Sequence, residues 1–138
     1  MFRNNVVKNT FLSVSSLIIV LLFSNGLLAH SWNAPKEAAK KRNPISLNQA
    51  SVKKGKKIYT QNCTHCHGDK IKGLSSKITG LKKTTPNLKQ RLKMHTDGDF
   101  FWKIQNGKGE MPSFKEDLSG NDIWNVINYI KSSEKHKK

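Results

Sequence analysis

The stretch Cys63-Thr64-His65-Cys66-His67 decides how the rest of this chain is interpreted. Two cysteines three positions apart, followed at once by a histidine, have the spacing at which a c-type haem is attached covalently. In a helical turn Cys63 and Cys66 point to one side, where each thiol can add across one vinyl group of the porphyrin. His67 can then turn its imidazole under the iron as an axial ligand. The motif predicts one covalently bound haem c.

Three other uses of the cysteine pair compete with haem attachment. A Cys-x-x-Cys redox motif needs a βαβ context, and the sequence around Cys63 and Cys66 lacks one. A zinc site needs a second Cys/His pair at a finger-like spacing, whereas His30, His95 and His136 are isolated in the sequence. A structural disulfide is the third alternative. Haem attachment is favoured because the N-terminal sequence indicates export, and exported thiols meet an oxidising compartment.

A second axial ligand is expected downstream, where the candidates are Met94, His95 and Met111. Met111 lies in the segment 107–114, which reads Gly-Lys-Gly-Glu-Met-Pro-Ser-Phe. Glycines allow a loop to approach the haem face closely, and Pro112 stiffens the position after the methionine. A thioether sulfur is a soft, neutral ligand that favours ferrous iron and raises the reduction potential. The sequence predicts Met111 as the ligand, with His95, Met94 or an open site as alternatives.

The first 31 residues differ from the rest of the chain. A short basic start without acids precedes an apolar run over 11–23, and small residues follow, in the order typical of a secretory signal peptide. Small residues at positions 29 and 31 predict cleavage before Trp32. The alternative is an uncleaved membrane anchor over 11–29, close to the roughly 20 residues that span a bilayer. Both interpretations place the remainder in the periplasm or another extracytoplasmic compartment.

Local patterns in the remainder predict helices separated by loops. Residues 32–49 hold two prolines and a basic run, which predicts an irregular lead-in. Apolar residues recur at helical spacing over 50–62 and again over 119–131, so we expect a helix at each end. A shorter helix is expected over 100–104, and a basic tail over 133–138. Without an alternating strand pattern or a repeat, the predicted fold class is all-α.

Together these motifs resemble class I cytochromes c, the small single-haem electron carriers. The resemblance covers about residues 50–132, which we take as the domain, and rests on the haem motif, on the 106–114 segment and on the aromatic residues of the final helix. It implies a fold in which the first and last helices cross near a right angle around the covalently bound haem. In that family a glycine meets an aromatic residue at the crossing, and Gly55 and Tyr129 match those positions.

The resemblance also assigns residues around the predicted ligands. Thr85-Pro86-Asn87-Leu88 resembles the family segment whose proline carbonyl accepts the N–H of the haem-ligating histidine, a bond that would fix the tautomer of His67. Pro86 lies later after the motif than in the shortest family members, so a loop is inserted between Gly68 and Thr85. The candidate haem-pocket side chains are apolar and lie downstream of the motif: Leu88, Phe100, Trp102, Ile104 and Phe114.

The function implied by the resemblance is the transfer of single electrons between respiratory redox partners. With His67 and Met111 on the iron, water and oxygen are kept off the metal, so the protein is expected to be no enzyme and to take no small-molecule substrate. The alternative is a catalytic haem protein, or the haem subunit of one, resembling a peroxidase with a labile sixth ligand. His95 is the candidate acid–base residue for that alternative.

Charge limits the partners further. The 138 residues allow one domain and carry 25 Lys and Arg against nine Asp and Glu, a formal net charge of +16. The lysines either simply solvate the surface or form a cationic rim around the haem edge, which would steer docking to redox proteins with acidic surfaces. The 96–112 segment resembles small cytochromes that serve membrane oxidoreductase complexes, and anionic lipids are a second possible contact. Nucleic acid is not expected, because the chain is exported and lacks a recognition motif.

Overall fold

The computed structural model describes residues 32–135, and within them the chain is helical. The helices are α1 (Lys36–Ala39), α2 (Gln49–Asn62), α3 (Thr64–His67), α4 (Ser76–Thr79), α5 (Leu88–Arg91), α6 (Asp97–Asn106) and α7 (Gly120–Lys135). The only β pairing in this part of the chain is an isolated bridge between Lys108 and Met111. The predicted all-α class is therefore confirmed.

The two long helices form where the periodicity predicted them, and both begin at a polar cap. The Asn48 side chain accepts a hydrogen bond from the Ser51 N–H at 2.9 Å, while the Ser51 hydroxyl accepts the Asn48 N–H at 3.2 Å. Each side chain thus satisfies a donor that the first turn leaves open. Ser119 and Asp122 make the same reciprocal pair at the start of α7: the Ser119 N–H donates to Asp122 Oδ2 at 3.3 Å, and the Asp122 N–H donates to the Ser119 hydroxyl at 3.2 Å. Helix α7 continues through Lys135, into the predicted basic tail.

The signal peptide or membrane anchor expected over residues 1–31 lies outside the described part of the chain. Among the helices of residues 32–135, none combines the length and the apolar character that crossing a bilayer requires.

Helices α2 and α7 pack face to face and build the core. Tyr59 on α2 and Ile123, Ile127 and Ile130 on α7 are almost fully buried. Gly55 lies at the contact, since a Cβ built on it would come within 1.9 Å of the Asn125 carbonyl oxygen and 3.0 Å of the Tyr129 Cβ. The predicted meeting of Gly55 and Tyr129 is thus confirmed, and the missing side chain is what allows the two backbones to touch.

Helix α6 completes the core by packing against α7. The rings of Phe101 and Trp124 stack with their centroids 4.2 Å apart. Phe100 and Ile104, on the inner side of α6, are buried. The structure extends this helix to Asp97–Asn106, beyond the predicted 100–104, because the Thr96 side chain caps it by accepting the Asp99 N–H at 3.1 Å.

The segment before α2, predicted to be irregular, contains the single turn α1 and is bound to α6. The Ala34 N–H donates to Asp99 Oδ1 at 2.6 Å, and the Thr96 hydroxyl donates to the Ala39 carbonyl at 2.6 Å. A Cβ on Gly98 would lie 2.3 Å from the Ala38 carbonyl oxygen, so the two backbones are in direct contact. Glycine at this position lets the lead-in lie flat on α6.

The second half of the lead-in satisfies a buried amide on α7. Asn128 is 1% exposed, and its Nδ2 donates to the Ile45 carbonyl at 3.0 Å. The Asn43 Nδ2 donates in turn to Asn128 Oδ1 at 3.0 Å and to the Trp124 carbonyl at 3.1 Å. A buried amide without partners is costly, so these bonds hold the lead-in on the domain.

A charged cluster lies under the lead-in, around Asp99, which is 4% exposed. Its carboxylate accepts hydrogen bonds from His95 Nδ1 and from Lys103 Nζ, the latter at 2.8 Å. Burial raises the pKa of Asp99, but the hydrogen bonds from Lys103 and Ala34 outweigh it, so the pKa lies below its ordinary value. Burial, together with the charges of Lys103 and Arg91, lowers the pKa of His95 despite the nearby carboxylate.

The cluster should make the domain sensitive to acid. The unfolded chain protonates His95 near its ordinary pKa of about 6.5, whereas the folded chain resists protonation, so stability should fall as the pH drops below that value. A His95→Gln variant should show a flatter decline in the free energy of unfolding between about pH 7 and pH 5. Urea unfolding of both proteins at several pH values measures the free energy of unfolding as a function of pH. Equal slopes of that free energy against pH in the two proteins would contradict the prediction. Asp99, whose folded-state pKa is lowered, should add a loss below about pH 4 in both.

Candidate haem-binding site

The predicted haem motif occupies the junction between α2 and α3. Cys63 ends α2 outside helical geometry, with φ −121° and ψ −27°, and its N–H donates to the Tyr59 carbonyl at 2.8 Å. The His67 N–H donates to the Cys63 carbonyl at 2.8 Å, which places the histidine one turn after the cysteine. Cys63 and Cys66 are both half-buried free thiols. Burial, together with the neighbouring Cys66, raises the pKa of Cys63 to about 12, so the thiol is protonated near neutral pH.

A tight turn after the motif fixes the position of His67. Gly68 has φ +71°, in the region that favours glycine, and its carbonyl accepts a hydrogen bond from the buried Tyr59 hydroxyl at 3.0 Å. The His67 carbonyl accepts the Gly73 N–H at 3.0 Å. The chain therefore doubles back beneath the motif before the inserted loop begins.

The imidazole of His67 carries an unsatisfied atom. Nδ1 is buried and has no hydrogen-bond partner among the described residues. Burial lowers the pKa of His67, and the Pro86 carbonyl beside the ring acts in the opposite direction. As predicted, the Pro86 carbonyl lies within hydrogen-bonding reach of the ring, but it makes no bond of good geometry to Nδ1. A buried, unpaired nitrogen costs roughly 1–3 kcal/mol. Binding of Nε2 to a metal would hold the proton on Nδ1 and make it a donor for that carbonyl, so the site fits an iron ligand.

The segment carrying Pro86 is tied directly to the motif. The Thr85 hydroxyl donates to the Cys66 carbonyl at 2.5 Å and accepts the Leu74 N–H at 2.8 Å. A Cβ on Gly73 would lie 2.1 Å from the Thr85 carbonyl oxygen, so the backbones at the two ends of this loop are in direct contact. Both ends of the inserted loop are therefore anchored beside Cys66 and His67.

The predicted sixth ligand lies at the end of a hairpin that follows α6. The Lys108 N–H donates to the Met111 carbonyl at 2.9 Å, and the Met111 N–H donates to the Lys108 carbonyl at 3.1 Å. Gly107 has φ +64°, and a Cβ there would lie 2.5 Å from the Met111 carbonyl oxygen, so the hairpin requires glycine. The Met111 side chain is half-buried against the hydrophobic core.

The alternative ligands are placed differently. The side chain of Met94 is 56% exposed at the surface. His95 is engaged with Asp99 beneath the lead-in. Of the three sequence candidates, Met111 is therefore the one packed against the hydrophobic core. The exposed His65, inside the motif, is directed away from the core.

The predicted pocket residues divide into three groups. Phe100 and Ile104 belong to the buried core, while Leu88 and Phe114 are partly buried against it; Trp102 is partly buried outside that cluster. Sequence reasoning missed Ile71, which is 1% exposed and has φ +60°. No periodicity could have revealed Ile71, because it lies in a loop between glycines.

Comparison with known proteins matches the part of the chain that contains the haem motif and Met111. A family model described as cytochrome c oxidase, cbb3-type, subunit III, matches residues 50–130. Cytochrome c6 of Pyropia tenera is 32% identical over 87 residues, which are 62% of this chain and 98% of that protein. Cytochrome c-551 of Bacillus subtilis is 30% identical over 99 residues, covering 72% of this chain and 79% of the relative.

A solved structure is also similar to this chain. Cytochrome c6 from the diatom Phaeodactylum tricornutum aligns with a TM-score of 0.46 and 29% identity over 61% of this chain and 94% of the other.

Proposed function

The chain belongs to the class I cytochromes c, within the family of cbb3-type oxidase subunit III, and we propose that Cys63, Cys66, His67 and Met111 hold its haem. It is an electron-transfer cytochrome with one covalently bound haem c. The observation that carries the residue assignment is the buried, unpaired Nδ1 of His67 beside two free thiols and an acceptor carbonyl.

Each residue has a separate role in this proposal. Cys63 and Cys66 bind the haem covalently, so the cofactor cannot dissociate. His67 and Met111 would both ligate the iron and so exclude water from it. When bound, the haem supplies an iron centre that exchanges one electron without making or breaking bonds to a substrate. The Pro86 carbonyl would orient the imidazole by accepting a hydrogen bond from its Nδ1–H. We therefore propose that the protein is no enzyme and takes no small-molecule substrate.

The peroxidase-like alternative has less support. It needs an acid–base residue free to act beside an open iron site, and His95 was the candidate. The imidazole Nδ1 of His95 is bound to Asp99, next to Lys103. The relatives matched over the haem domain are cytochromes c6 and c-551.

The partners we propose are redox proteins with acidic docking surfaces, including a membrane oxidoreductase complex of the kind that the family description names. Several acidic side chains are already paired within the domain, such as Asp97 with Lys131 and Asp122 with Lys54. An excess of lysines is left at the surface, and it would attract an acidic partner or anionic lipids at low salt. These exposed residues include Lys53, Lys56, Lys57, Lys70, Lys72, Lys77, Lys82, Lys83, Lys93 and Lys108.

The organisation and location we propose follow from the sequence. Residues 1–31 act as a signal peptide or remain as an anchor, 32–49 form the lead-in, 50–132 the haem domain and 133–138 the basic tail. The haem domain would then work in the periplasm or an equivalent compartment, where oxidised and reduced partners can reach it.

Mass spectrometry of the protein purified from a host that matures c-type cytochromes tests this proposal. The expected mass exceeds that of the polypeptide by one haem, and neither Cys63 nor Cys66 reacts with an alkylating reagent. The same spectrum identifies the N-terminus, which should be Trp32 if the signal peptide is removed. A colourless protein with two alkylatable thiols would refute the assignment.

A further inference from the structure

Glu110, the residue before Met111, connects two loops that are distant in sequence. Its carboxylate oxygens Oε1 and Oε2 accept the backbone N–H of Lys82, at 3.0 Å and 3.1 Å. The two residues are 28 positions apart. A hydrogen bond to an ionised carboxylate is stronger than one between neutral groups.

The loop that carries Lys82 starts and ends beside His67, the proposed iron ligand of the haem motif. The backbone of Gly73, near its start, hydrogen-bonds to the His67 carbonyl. Near its end, Thr85 hydrogen-bonds to the Cys66 carbonyl and to Leu74. Both ends of this loop are therefore fixed at the haem motif. Lys82, which it carries, is where the Glu110 carboxylate binds.

The hairpin that carries Met111 is closed by two backbone hydrogen bonds between Lys108 and Met111. Gly107 and Gly109 both have positive φ, and glycine there leaves the hairpin many alternative conformations once its contacts break. On the side of α6, the hairpin is tied by the bond from the Ser113 hydroxyl to the Gln105 carbonyl at 2.7 Å. Glu110 supplies a tie on the opposite side, towards the inserted loop.

We propose that Glu110 is a latch that closes the Met111 hairpin against the inserted loop and so controls how often the Met111 sulfur leaves the iron. Glu110 is a positioning residue, since it acts through Met111. The inference rests on the proposed axial role of Met111. It makes the loop between Gly68 and Thr85 a brace between the two sides of the haem site.

The test measures how fast imidazole binds to the ferric, haem-loaded protein, because imidazole can reach the iron only when Met111 has left it. The Glu110→Ala variant should bind imidazole about five- to tenfold faster than the parent protein. Glu110→Gln, which keeps one acceptor oxygen, should lie between the two. Amide hydrogen exchange at Lys82 should accelerate in Glu110→Ala. Glu116→Ala removes a different exposed carboxylate and should change neither quantity.

The outcomes separate the proposed role of Glu110 from the assignment of Met111 as an iron ligand. Faster imidazole binding and faster exchange at Lys82 support the latch. Unchanged imidazole binding in Glu110→Ala, with Met111 still on the iron by its near-infrared charge-transfer band, overturns the latch and leaves the proposed function intact. Absence of that band from the parent protein overturns the axial role of Met111, and the latch with it.

Discussion

Replacing Met111 with alanine should remove the sixth ligand while leaving the haem attached. Cys63, Cys66 and His67 are unchanged in this variant, so the protein should remain coloured and should keep its covalent cofactor. The charge-transfer band of the Met–Fe(III) bond should disappear. The reduction potential should fall by something on the order of 0.1 V, within the range of about 0.8 V that axial ligands span, because the soft thioether favours ferrous iron.

Met94→Ala is the matched control, since it removes the same side chain from an exposed position. Its spectrum and potential should equal those of the parent protein. Visible and near-infrared spectra, with a potentiometric titration of all three proteins, make the comparison. If Met111→Ala kept the parental spectrum, the sixth ligand would be another residue and the assignment of the 107–114 hairpin would be wrong.

Replacing Gly55 with alanine should destabilise the fold more than the same change at Gly98 in α6 or at Gly120 in α7. The added Cβ would lie 1.9 Å from the Asn125 carbonyl oxygen and 2.5 Å from its carbon, both of them backbone atoms. Helices α2 and α7 must then separate and lose contacts along their whole interface. We expect the free energy of unfolding to fall by about 3 kcal/mol, which outweighs the gain of about 1 kcal/mol in helix propensity.

Gly120→Ala provides the comparison for this change. A Cβ on Gly120 would lie 3.7 Å from the Phe101 ring, an ordinary van der Waals distance. Stability should therefore stay the same or rise by up to about 1 kcal/mol. Denaturant unfolding of both haem-loaded variants tests the pair. Equal stability of Gly55→Ala and Gly120→Ala would mean that the helices do not meet closely at Gly55.

The helices and the ligand motif were predictable because their signals are local. Periodicity located α2 and α7 to within a few residues at each end, and the spacing of Cys63, Cys66 and His67 indicated a haem without reference to any distant part of the chain. The lead-in was not predictable in the same way. Asn43 bonds to Asn128, 85 positions away, and the end of α1 bonds to Thr96, 57 positions away, so from local sequence a segment with prolines and lysines looked irregular.

The sequence by itself determined the covalent chemistry of this protein, because two thiols and an imidazole at fixed spacing need only one helical turn to meet a haem. It also determined which faces of the long helices are buried. The glycines and proline around Met111 favoured it over Met94 from sequence, and only the tertiary structure showed that Met111 packs on the core while Met94 is exposed. It likewise decided that the Ala34 N–H reaches Asp99 and that the Lys82 N–H reaches Glu110. Those contacts join residues brought together by folding, and neither composition nor local spacing records them.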